Sequence, residues 1–206
     1  GKYSASGASS CTGCSAGSYS DNSVEETFCS FETDLCGFSS TGLYPWTRLS
    51  GSTGSVGTGP TGDHTSGTGF YMYTEASSPN FPSVGPFILE ITGRPIGSIS
   101  FYYHMLDTTT TNMGTLKVET SADGVSWTTR FTKSGNQGSS WLFASLDLAL
   151  NMDGYLRFAG TTGAGYEGDI SIDDVTTVTL TGASSCTSCT AGRYSAYTGA
   201  PSCTSC

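Results

Sequence analysis

The sequence predicts an all-β chain built around a jelly-roll antiparallel β-sandwich, with disulfide-stapled cysteine-rich repeats at both ends. Three observations predict it. Between Cys29 and about Val178 the apolar residues alternate in short runs, the period-two mark of half-buried strands. Glycine-containing turn signals separate the runs, and no long stretch carries the helical period. All eight cysteines fall within positions 11–36 and 186–206, so the centre of the chain has none.

The strands justify themselves in order. "FYMYT" and "PFILEI" are the first short apolar runs after a glycine-rich stretch. "SISFYYHML" puts Ile99, Phe101, Tyr103 and Met105 on one face and Ser98, Ser100, Tyr102 and His104 on the other. "GTLKVET", "VSWTTRF", "LFASLDLAL", "GYLRFAG" and "DISIDDVTTVTL" follow. Asp123-Gly124, Ser134-Gly135, Asp153-Gly154 and Gly163 to Gly165 supply turns between them. Many short strands with such turns read as two packed antiparallel sheets. The segment division is 1–28 and 181–206 for the cysteine-rich ends and 29–180 for the sandwich.

Composition narrows the function classes. A formal charge of −9 with eight Lys and Arg argues against nucleic acid, whose phosphates need a concentrated basic surface. Anionic membranes are disfavoured for the same reason, and no apolar run is long enough to cross a bilayer, so direct membrane insertion is not expected. An acidic surface either keeps a protein soluble or attracts divalent cations. The cysteines include three C-x-x-C pairs, Cys11/Cys14, Cys186/Cys189 and Cys203/Cys206. Zinc is one reading, but flanks of Ser, Thr and Gly favour disulfides and an extracellular compartment.

"GKYSASGASSCTGC" at the start and "GRYSAYTGAPSCTSC" at the end align after one deletion, so the chain contains an internal repeat. Units this small need disulfides to hold shape. Gly1 falls after the point where the unit's first cysteine belongs, which reads as a segment of a longer chain. These ends resemble the small cysteine-rich repeats of tumour-necrosis-factor-receptor and ephrin-receptor type, and that resemblance implies a Cys189 to Cys203 disulfide. The partners of Cys11, Cys14, Cys186 and Cys206 stay open.

In the centre, "CSFETDLCGF", "WTRLSGSTGSVGTGPTGDHTSGTGFYMYTEAS", "SFYYHM", "GTLKVE", "SGNQGSSW" and "GDISIDDV" arrive in the order of the blocks of a MAM domain. The sequence is similar to that extracellular module of meprins, neuropilins and receptor tyrosine phosphatases over roughly 150 residues. The resemblance implies a jelly-roll with adhesive or assembly roles, no catalysis, and a Cys29 to Cys36 disulfide; the spacing of "CSAGSYSDNSVEETFC" allows Cys14 to Cys29 as the competitor. The family's usual cysteine before the "SFYYHM" strand is missing from "RPIGSIS".

Acidic residues are the candidate site. Glu32 follows Phe31 on the expected first strand, Asp63 sits in "TGDHTSGTG", and Asp173 with Asp174 lies on the last strand. If the first and last strands are neighbours, these carboxylates converge and repel unless a cation neutralises them. Calcium suits such a group, with carbonyls of the glycine-rich loop completing its shell, and the MAM resemblance points to a structural cation in the same place. The competing reading has the carboxylates capping turns and backbone N–H groups. The only histidines are His64 and His104; Asp63-His64 as part of a hydrolase triad is disfavoured because no G-x-S-x-G elbow is present. The glycines of "GSTGSVGTGPTG" lack the Lys-Ser/Thr ending of a phosphate loop. Trp46, Trp127, Trp141 and eleven tyrosines offer stacking surfaces for a glycan; the competing reading is that Trp46 and Trp141, inside the MAM blocks, fill the core. The resulting expectation is a non-catalytic extracellular structural or adhesive module, with neighbouring copies or modules as protein partners. A carbohydrate-binding, lectin-like module is the alternative.

Overall fold

The computed structural model describes residues 24–148 and 154–179 with their side chains, and beyond them only the backbone of short strand pieces. The chain forms two compact units, Glu26–Val178 and the two ends Gly1–Glu25 with Thr179–Cys206. In the second unit Lys2–Tyr3 pairs with Thr12–Gly13, Ser18–Ser20 with Cys186–Ser188, and Arg193–Tyr194 with Thr204–Ser205, all antiparallel. The expected Cys189 to Cys203 disulfide lies outside the described residues.

The larger unit is all β. Its strands are β1 (Ser23–Cys29), β2 (Ser39–Thr41), β3 (Tyr44–Ser50), β4 (Phe70–Thr74), β5 (Phe87–Thr92), β6 (Ile96–Met105), β7 (Thr115–Ser121), β8 (Thr128–Ser134), β9 (Gly138–Asp147), β10 (Tyr155–Thr161) and β11 (Ile170–Thr181). They follow one hydrogen-bonded path, β8-β7-β10-β5-β3-β4-β11-β6-β9, with β1 on β11 and β2 on β5. The path folds into two layers at β3. Tyr44 and Pro45 pair parallel with Phe87 and Ile88 of β5, while Trp46 to Ser50 pair antiparallel with Thr74 to Phe70 of β4. Trp46 sits at that corner, 3% exposed, and its indole N–H donates to the Phe87 carbonyl at 2.9 Å. A buried Trp needs such a partner.

Alternation explains the core. Ile99, Phe101, Tyr103 and Met105 of β6 are all buried, as the period-two reading of that strand requires. Phe101 meets Phe158 of β10 and Phe131 of β8 edge-on, with centroids 5.0 and 5.5 Å apart, which locks one layer against the other. Leu116 and Val118 of β7, Leu89 of β5 and Ile170 and Ile172 of β11 complete the interior.

Three sequence expectations need correction, on Glu32, the start of β8 and Trp141. Glu32 is not on a strand: β1 ends at Cys29, which is bonded to Cys36, and Phe31 takes φ 56°, turning its ring fully into the core and leaving Glu32 exposed. "VSWTTRF" begins too early, because Asp123 Oδ1 accepts the N–H groups of Val125 and Ser126 at 2.8 and 2.7 Å and prolongs the turn, so β8 starts at Thr128. His104 is on the outer face yet 2% exposed, and Trp141 packs beside it on that face rather than in the core. Trp127 is half-buried, with the Arg157 guanidinium 3.7 Å over its ring, so one of its faces is already covered.

Candidate functional site: carboxylates around the Gly62–Phe70 segment

Between β3 and β4 the chain runs from Gly51 to Gly69 without a strand. Its backbone N–H groups therefore need other acceptors. Asp63 supplies two of them from inside the segment: Oδ2 accepts the Ser66 N–H at 2.8 Å and Oδ1 the Gly69 N–H at 2.6 Å, with the Ser66 hydroxyl adding a bond at 3.0 Å. Burial pushes the Asp63 carboxyl up, but these donors together outweigh it and leave the pKa lowered.

The last strand supplies the next acceptors. Asp173 Oδ2 accepts the His64 N–H at 2.8 Å, and its Oδ1 accepts the Asp174 N–H at 2.8 Å. Asp174 Oδ2 lies 2.6 Å from His64 Nδ1 and accepts the Thr65 hydroxyl at 2.6 Å. Consecutive strand residues ordinarily point to opposite faces. Asp174 has φ 47°, and this departure from strand geometry lets both carboxylates reach the same segment. Burial, then the charges of Asp174 and Asp63, push the Asp173 carboxyl up to about 7 against the pull of its two N–H bonds.

Glu32 reaches the far end of the segment. Its Oε1 accepts the Phe70 N–H at 2.9 Å, and it lies so close to Gly69 that a Cβ there would stand 2.0 Å from Oε1. Arg48 of β3 fixes this arrangement by donating to the carbonyls of Phe31 and Glu32 while lying 3.6 Å over the Phe70 ring. The four predicted carboxylates thus converge on one segment, drawn from three separate parts of the chain. Their side-chain oxygens meet N–H and O–H donors, the one buried exception being Asp174 Oδ1, which has no partner. Among the described residues no three His, Cys, Asp or Glu side chains are grouped to hold a metal ion.

An aromatic floor lies beneath. The His64 ring stacks on Tyr102 of β6 at 3.4 Å and 18°, and Trp141 of β9 meets it edge-on at 6.2 Å. Trp141 donates its indole N–H to the Gly62 carbonyl at 3.3 Å. Phe143, 59% exposed, continues the row at 5.2 Å from Tyr102. The partner of the His64 ring is Asp174, 110 residues away, and not its sequence neighbour Asp63.

Sequence reasoning missed Asp107 and Asp169, both fully buried. Asp107 organises its own turn, with Oδ1 accepting the Thr109 N–H and hydroxyl and Oδ2 the Asn112 and Met113 N–H groups. The run of hydroxyl residues after it in "LDTTTTNM" is the available signal. Asp169 ties the start of β11 to the chain after β4, its Oδ1 accepting the Ala76 N–H at 2.9 Å. Burial, chiefly, raises its pKa to about 6, with the Glu75 charge adding to it. Since the folded value lies above the ordinary carboxyl value of 3.8, this group's contribution to stability is full below that pH and is lost as pH rises through about 6. Asp169→Asn keeps an acceptor for Ala76 and removes the titration, so urea unfolding at pH 7.5 should show a variant more stable than wild type by on the order of 2 kcal/mol, the gap closing toward pH 4. A gap independent of pH would contradict the assignment.

The family model described as "MAM domain, meprin/A5/mu" matches residues 29–187. Thyroid hormone-induced protein B of Xenopus laevis is 34% identical over 159 residues, covering 71% of this chain and 22% of that protein. MAM domain-containing glycosylphosphatidylinositol anchor protein 2 of Homo sapiens is 32% identical over 177 residues, covering 74% and 18%. The chain therefore spans about a fifth of the length of these relatives. Among solved structures, the K2 cleaved adhesin domain of Lys-gingipain has a TM-score of 0.56 at 14% identity, over 74% of this chain and 99% of that one, a likeness of fold. With its family pattern running from the Cys29 disulfide through the whole sandwich, the chain belongs to the MAM domain family.

Proposed function

We propose that this chain is a non-catalytic extracellular module that mediates protein–protein assembly within a larger surface or fibrous protein, with neighbouring copies of itself as partners. The observation that carries this reading is the match of one MAM domain to residues 29–187 by a chain that spans only about a fifth of its relatives' length. A module repeated along or between long chains turns weak contacts into avidity. The Cys29–Cys36 disulfide and a relative named for a glycosylphosphatidylinositol anchor support the extracellular placement.

Beads coated with the unglycosylated chain should cluster with one another in a light-scattering assay, and soluble glycans should not dissolve the clusters. Beads that stay dispersed at every coating density would overturn the assembly reading. The exposed Phe143, with the partly buried Tyr102 against it and Trp141 partly buried on the same face, favours glycan stacking as a second reading; clusters dissolved by a sugar, in a manner lost on Trp141→Ala, would establish it instead.

Calcium is the second part of the proposal, with Glu32, Asp63, Asp173 and Asp174 as candidate ligands. Its support is the buried, unpartnered Oδ1 of Asp174 beside an Asp173 whose ionisation its neighbours oppose. With no acidic triplet grouped among the described residues, the ion would draw on the Asp173–Asp174 pair and on backbone carbonyls. Such a charge count belongs with the weak sites of extracellular modules, roughly 10⁻⁴–10⁻³ M. At about ten times that Kd, calcium should stabilise by about 1.4 kcal/mol and raise Tm by roughly 3–5 °C over EDTA, and Asp174→Asn should abolish the rise. Identical wild-type melting curves in calcium and EDTA would remove calcium from the account.

A further inference from the structure

The hydrogen-bonded path through the sandwich has two ends, β8 and β9, and the sequence treats them differently. β8 carries Arg130 and Lys133 within its seven residues, the charged guard that natural sheets place on an edge to stop further pairing. β9 carries no charged residue and no proline from Gly138 to Leu146. In a chain of net charge −9, an uncharged run of that kind at a sheet edge stands out against its own surface.

Register shows which groups the edge offers. Leu148 donates its N–H to the Gly97 carbonyl, and Asp147 lies opposite Ser98, so Leu148 and Gly97 form a hydrogen-bonded pair. Antiparallel ladders alternate. Leu146, Ala144 and Leu142 therefore turn their backbone groups toward β6, whereas Phe143 and Ser145 turn theirs away from it. On the outer face the Phe143 ring is 59% exposed, and the Ser145 side chain next along that face is exposed as well.

We infer that β9 is a self-pairing edge: two copies of this chain join antiparallel across their β9 strands, with Phe143 of one opposite Ser145 of the other. The pairing is isologous, since the same two residues meet their counterparts about a two-fold axis. Each copy supplies the donors and acceptors that the other lacks, and the two Phe143 rings come to lie diagonally across the new ladder, within reach of one another. The row of Tyr102 and Phe143 in each copy then becomes one continuous aromatic strip. Charge favours this occupant over a charged peptide, because the meeting segments are neutral while the rest of each copy is acidic. A contact of a few residues is weak and serves an array better than an isolated dimer.

This inference rests on the assembly reading and names its surface, so the experiment must separate the two. Ser145→Pro removes an outward-facing N–H without touching the bonds to β6, and Ser145→Lys places like charges across the two-fold axis. Sedimentation velocity on the full chain should show wild-type self-association that strengthens as sodium chloride rises from about 50 to about 500 mM, because added salt screens the net repulsion. Both variants should associate at least tenfold more weakly, with melting temperatures close to wild type; should the proline variant unfold, the lysine variant decides. Variants that associate as well as wild type place the contact elsewhere, overturning the β9 edge and leaving the assembly reading intact. A wild-type chain that neither sediments as an oligomer nor clusters on beads overturns both.

Discussion

The structure depends on how a long, strandless, glycine-rich connection satisfies its backbone. From Gly51 to Gly69 the chain crosses between β3 and β4 with no ladder of its own, and a buried N–H without a partner costs about as much as several ordinary hydrogen bonds contribute. Four carboxylates from three parts of the sequence provide the acceptors: Glu32 for Phe70, Asp63 for Ser66 and Gly69, and Asp173 for His64, with Asp174 holding the His64 ring and the Thr65 hydroxyl. Acidic side chains at these places are therefore part of the backbone's hydrogen bonding before they are anything else.

That solution carries an electrostatic penalty. Burial, then the charges of Asp174 and Asp63 beside it, oppose the ionisation of Asp173. The sandwich tolerates it because the rest of the frame is strongly determined. Trp46 fastens the corner where β3 changes layers, Phe101 and Phe158 lock the layers face to face, and Arg48 pins the Phe31–Glu32 turn. The outer surface is left to the aromatic row and the β9 edge, which is where contact with other molecules is proposed.

The sandwich was legible because its strands obey a period of two. "SISFYYHML" alone assigns Ile99, Phe101, Tyr103 and Met105 to the core. The approach of acidic residues from both ends of the domain to one segment was also legible, from the proximity of first and last strands in such folds, although no three of them are grouped among the described residues. What each carboxylate does was not. Glu32 sits beyond the strand because Phe31 adopts a positive φ that an aromatic residue rarely takes, and no sequence pattern announces that choice. Both Asp173 and Asp174 reach the loop only because Asp174 departs from strand geometry. Trp141 was read as core because it lies inside a block of the MAM pattern; its position on the outer face follows from the shift of register between Gly138 and Leu142, a feature of pairing rather than of composition.

The central claim is that carboxylates, rather than a β ladder, hold the Gly62–Phe70 segment, and amide hydrogen exchange reads it most directly. The account predicts that the His64, Ser66, Gly69 and Phe70 amides exchange as slowly as amides of the neighbouring strands, and that Asp63→Ala speeds Ser66 and Gly69 far more than Phe70, which Glu32 still holds. Exchange of these amides at the rate of an open loop in wild type, or an equal loss of protection at all four in the variant, would contradict it.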